Sequence, residues 1–123
     1  MKHFFPAIGC CVLCLLFLSG CNHHQRTSLT ISESDTKYKI TATFDNKNTT
    51  KVERCMNKYL TGRNNMSFLN TRIDGQITLD DRTTFFIKKS QGILEIDFNK
   101  DNNPAHSYRD MKGLAEGLRA ELK

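Results

Sequence analysis

After residue 19 the sequence has no second long apolar run, and it has no tryptophan. The first absence confines any membrane-directed element to the N-terminus. No internal repeat and no low-complexity block occurs, which sets solenoids and biased disordered tracts aside. No G-x-S-x-G, phosphate-loop or Cys/His zinc spacing is found, so none of the chemistry those spacings serve is indicated. Lys and Arg are dispersed along the chain, whereas nucleic-acid tracking needs them clustered; no nucleic-acid partner is expected.

What is present begins with an apolar stretch over residues 4–19, preceded by Lys2 and closed by Ser19 and Gly20. At about 16 residues it is short for a free membrane span, and Pro6 and Gly9 interrupt it. It has the layout of a secretion signal over residues 1–20; an uncleaved single-span anchor is the alternative.

Leu18-Ser19-Gly20-Cys21 resembles the lipobox of bacterial lipoproteins, a resemblance covering the first 21 residues. It implies diacylglyceryl transfer to the Cys21 thiol and cleavage between Gly20 and Cys21, leaving an acylated cysteine as the first mature residue. The chemistry suits a cysteine, whose thiolate is a soft nucleophile. Each buried lipid methylene adds about 0.8 kcal/mol, so two or three chains hold far better than one. The implied partner is a lipid bilayer and the implied location the cell envelope. Asn22, not aspartate, follows Cys21. In Gram-negative sorting that points to the outer membrane, on its periplasmic face or at the cell surface.

Cysteine usage then simplifies. Cys10, Cys11 and Cys14 leave with the signal, so their clustered spacing is neither a metal nor a redox site. Cys55 stays as the one unmodified thiol, and no intramolecular disulfide is expected. The mature chain carries 17 Lys+Arg against 13 Asp+Glu, a net charge of +4 that could favour an anionic membrane surface or a glycan.

Residues 22–28 read as a tether that reaches roughly 25 Å when extended. Residues 29–123 read as one domain. Leu29 and Ile31, then Tyr38, Ile40, Ala42 and Phe44, alternate with polar residues and predict a β-hairpin around Glu33–Thr36. Val52, Cys55, Met56, Tyr59 and Leu60 form a helical stripe, with Thr50 and Glu53 at capping-box spacing, the Asn and Asp residues before them as alternative caps, and Gly62 as a C-terminal cap. Cys55, central in that stripe, reads as a small core residue. Three strands follow. Ile73, Ile77 and Leu79 share a face, with a bulge or close contact expected at Gly75. Phe85 and Ile87 oppose Phe86, and Leu94, Ile96 and Phe98 oppose Glu95 and Asp97. Asn103 and Pro104 suit the start of a last helix whose stripe is Tyr108, Met111, Leu114, Ala115, Leu118 and Leu122. Gly113 and Gly117 would let it approach the sheet.

The expected fold is α+β, ββ-α-βββ-α: an antiparallel sheet of about five strands with two helices on one face and the other face wet.

Catalytic sets are weak. Cys21-Asn22-His23 matches an amino-terminal copper or nickel chelate, but N-acylation would remove the amine, and His23 and His24 read as tether. His106 lies near Asp101 and Asp110 and could pair with either. Asp97 to Asn103 is rich in oxygen but lacks the glycine and glutamate of an EF-hand loop. Asp80 and Asp81 suit a turn. No metal, cofactor or catalytic residue is expected. The candidate binding surface is the wet strand face: Arg72, Asp74, Gln76 and Thr78, with Phe86 exposed beside them. Such a face can take a peptide, a glycan or an envelope protein. The expectation is a non-enzymatic binding module at a membrane. The alternatives are an inhibitor or immunity-type lipoprotein and a small hydrolase.

Overall fold

The computed structural model describes residues 27–61 and 67–123. It is an α+β fold of five antiparallel strands and two helices in the order ββ-α-βββ-α. The strands are β1 (Ser28–Glu33), β2 (Lys37–Thr43), β3 (Ile73–Thr78), β4 (Thr84–Ser90) and β5 (Ile93–Asn99). The helices are α1 (Thr49–Leu60) and α2 (Ala105–Glu121). Spatially the strands run β1-β2-β5-β4-β3, so the first hairpin joins the later meander through β2 and β5.

Period-two alternation makes one sheet face apolar. Its register stacks Ile31, Ile40, Ile96 and Ile87 into one row across four strands, ending at Gly75 of β3. Neighbouring rows hold Tyr38, Phe98 and Phe85, and Ala42 with Leu94. Both helices cover this face, and Val52, Met56, Leu60, Met111, Leu114 and Leu118 join one continuous core. Cys55 is buried within it, and burial pushes its thiol up from the ordinary value.

Four local details differ from the sequence reading. Gly75 makes no bulge: β3 and β4 pair without a break on either side of it. Its φ of 156° is one that L side chains rarely adopt, so glycine is required there by backbone rather than by space. Glu53 closes no capping box; it is buried and bonded to Lys89. The preceding turn is capped by Asp45, whose carboxylate accepts from the Lys47 N–H. Asn103 does not cap α2. Its amide pairs with both backbone groups of Thr84, accepting from N–H at 2.7 Å and donating to C=O at 3.0 Å. It thus acts as a one-residue strand partner at the start of β4. Finally, Gly113 and Gly117 face α1, not the sheet. A Cβ at Gly117 would lie 2.7 Å from Cys55 Sγ and 2.7 Å from a Tyr59 ring carbon. The small face sets how closely the two helices meet. Gly62 lies outside the described residues.

One core anchor went unread. Phe68 is fully buried, its N–H donating to Asn57 Oδ1 at 2.7 Å. The side-chain amide of α1 thereby holds the returning loop.

Candidate functional site

The open sheet face is where the proposed binding residues fall. Asp74, Gln76 and Thr78 of edge strand β3 are exposed on it. Phe86 of β4 stands among them at 45% exposure. Register places Phe86 between Gln76 and Asp97, and Lys88 between Asp74 and Glu95. An aromatic face is therefore flanked by hydrogen-bonding groups, with a cation between two carboxylates one row away. Thr78 and Thr84 share a hydroxyl hydrogen bond at 3.1 Å in the next row. Across β2 the row of Phe86 continues through Lys39, and that of Lys88 through Thr41.

Arg72 is apart from the other four. It precedes β3 and lines a groove of about 670 Å³ at the end of the sheet. The groove is walled by hydroxyls and amides, among them Thr49, Thr50, Asn70, Ser90 and Gln91. At its edge Lys89 and Glu53 form an ion pair at 2.6 Å, both almost completely buried. Lys89 also donates to the Thr71 carbonyl, and Glu53 accepts from the Asn70 N–H at 3.2 Å. Each charge thus has a second partner, which a desolvated pair needs. Thr49 Oγ1 is buried in the groove wall without a hydrogen-bond partner. Hydroxyl-rich walls beside one guanidinium suit a polar ligand such as a glycan. The groove was missed because it joins three separate segments. One signal existed: Lys89 shares strand parity with Phe85 and Ile87, so it had to point inward.

His106 finds Asp81, a partner its sequence neighbours did not suggest, and stays partly exposed. Its Nε2 lies 3.0 Å from Asp81 Oδ2, in the turn between β3 and β4. Asp81 also accepts from the Thr83 N–H at 3.0 Å, as its turn position suggested. Burial opposes the charged carboxyl, but hydrogen bonds from Thr83 and His106 outweigh it and hold Asp81 below its ordinary value. With Asp110, one nitrogen and two oxygens lie within 4.8 Å of one another. Two further links accompany them: Thr83 and Ser107 hydroxyls at 2.6 Å, buried, and Asn103 on Thr84. Together these bonds clasp the turn to the N-terminal end of α2. In the oxygen-rich loop, Asn99 Oδ1 is likewise engaged by the Asp101 N–H at 2.9 Å.

Gly20, Cys21, His23 and His24 lie outside the described residues. Among the described residues no helix is long and apolar enough to cross a membrane. No family model, curated protein or solved structure matches this chain.

Proposed function

We propose that this chain is a lipid-anchored protein of the bacterial envelope whose domain presents a binding surface rather than a reaction centre. The lipobox resemblance at Leu18–Cys21 supports the anchor. The observation that carries the binding role is Phe86, a large aromatic exposed on an open sheet and set in register among Gln76, Asp97, Lys88 and Asp74. An exposed aromatic framed by donors and acceptors is the usual anchor of a peptide or glycan contact. The polar groove at Arg72 extends that surface past the end of β3. The partner is an envelope protein, a peptide or a glycan. The asparagine after Cys21 favours the outer membrane, on its periplasmic face or at the cell surface.

The test uses the full chain in its native envelope. A photo-crosslinking residue replaces Phe86, and in a second strain it replaces Thr30 on the far strand of the same face. One discrete adduct from position 86, absent from position 30, is expected. Equal or no crosslinking from both sites would remove the binding role. Separately, Cys21→Ala should abolish lipid labelling and leave the precursor uncut. Continued labelling would end the lipobox reading.

A further inference from the structure

The cations are dispersed in sequence, but eight of them are exposed on the helix layer. Lys51, Arg54 and Lys58 follow one another at spacings of three and four residues, so helical periodicity lines them along one edge of α1, and Lys47 lies in the short 3-10 turn just before it. All four are exposed. The only acid in α1 is Glu53, and Lys89 neutralises it in the interior. On α2 and its last residues, Arg109, Lys112, Arg119 and Lys123 are exposed against Glu116 and Glu121. The helix layer thus shows eight exposed cations and two exposed acids. The strands of the open sheet face carry Lys37, Lys39 and Lys88 against Asp74, Glu95 and Asp97, which balance. The excess positive charge lies on the helices.

We infer that the helix layer is a docking surface for anionic lipid headgroups, so that the domain lies helices-down on the bilayer with the Phe86 face turned away from it. This rests on the anchored reading above. The complementary charge names the occupant: basic side chains close to an anionic leaflet are attracted within about a Debye length, roughly 8–10 Å at ordinary ionic strength. The route of the chain agrees with it. Ser28 pairs with Thr43, and Thr43 leads within four residues to Lys47, so the tether joins the domain at the end where α1 begins. From there α1 extends about 18 Å, within the roughly 20 Å that residues 22–27 reach when extended, Ser28 being already the first residue of β1. An anchored domain can therefore lay its cationic layer on the surface that holds it.

The experiment places the full chain in vesicles of phosphatidylcholine, with or without phosphatidylglycerol. A fluorescent amino acid is encoded at Ala120, exposed on the helix layer, or at Thr41, exposed on the sheet face. Quenching by a headgroup nitroxide lipid is read. The Ala120 probe should be quenched at least about twofold more than the Thr41 probe when phosphatidylglycerol is present. The excess should vanish near 1 M salt, where the Debye length is about 3 Å. It should also vanish in the K51E/R54E/K58E variant. Equal quenching at the two sites, or quenching indifferent to phosphatidylglycerol, would overturn the docking; so would persistence in 1 M salt, an arm that does not depend on how the variant folds. Mass analysis of the same chain reads the anchor independently. Ala120 quenching without acyl on Cys21 would fault the anchor alone, and acylation without it the docking alone.

Discussion

Two Lys–Glu pairs in this protein have almost the same length and very different surroundings. Lys89–Glu53 is 2.6 Å long, with side chains 2% and 4% exposed. Lys100–Glu33 is 2.7 Å long, with side chains 20% and 41% exposed. Distance alone would rank them equal. The buried pair has given up its water and depends on each partner, and on Thr71 and Asn70, for compensation. The exposed pair can exchange its partner for solvent at little cost. It is supported by Tyr108, whose hydroxyl bonds Glu33 and whose ring lies under Lys100 at 4.8 Å. That network lowers the pKa of Glu33 through the Lys100 and Tyr108 hydrogen bonds and raises that of Lys100 through Glu33. Burial, more than geometry, sets what each contact contributes.

The contrast is easiest to break at its buried end. Lys89→Met leaves the buried Glu53 carboxyl without its counterion and should cost about 3–5 kcal/mol in urea denaturation. The double change Glu53→Gln with Lys89→Met keeps an acceptor for the Asn70 N–H and removes both charges, and should recover most of that loss. A single variant within about 1 kcal/mol of wild type would contradict the desolvated pair.

The clasp at Asp81 is intermediate, with His106 and Asp81 side chains 29% and 13% exposed. Asp81→Ala should cost about 1–2 kcal/mol, from the loss of charge-assisted hydrogen bonds to Thr83 and His106. The pKa of Asp81 is depressed below its ordinary 3.8. Its contribution is therefore present above that value and disappears as pH falls through the lower folded-state value. The stability gap between wild type and Asp81→Ala should close below about pH 4 in a pH series of chemical denaturations. A gap that widened on acidification would reverse the assignment.

Smaller effects belong to the surface. Phe86→Ala should leave stability within about 0.5 kcal/mol, since the ring is nearly half exposed, while weakening capture of the envelope partner. A large loss of stability would make Phe86 structural. Last, Lys100→Ala should leave the melting temperature unchanged within error at moderate salt. A clear drop would show the outer pair to be as costly to break as the inner one.

Much of this architecture was legible because burial is periodic. The alternation of Tyr38, Ile40 and Ala42, and of Leu94, Ile96 and Phe98, fixes which side of each strand faces inward. The stripes of α1 and α2 do the same at helical spacing. Phe86 could be placed outside by parity alone. Apart from Gly75, where the backbone alone decides, the misreadings share a cause: each concerned a residue whose partner comes from another segment. Glu53 had correct capping spacing, yet its carboxylate reached across to Lys89. Asn103 stood where a helix cap belongs, yet backbone groups of β4 claimed it. Gly113 and Gly117 announced a close approach without saying to what. Capping and turn rules are local, and a buried polar group takes whichever partner the packed chain brings near.

By itself the sequence determined the number and type of elements and their inner faces, because each is encoded in neighbours a few residues apart. Only the tertiary structure decided that β2 would pair with β5, that Lys89 would find Glu53, that His106 would find Asp81, and that cations scattered along the chain would share one layer. Those outcomes depend on packing two helices against one face of a sheet. That single burial brings distant residues together and leaves the helices' outer surface and the opposite sheet face to differ in charge.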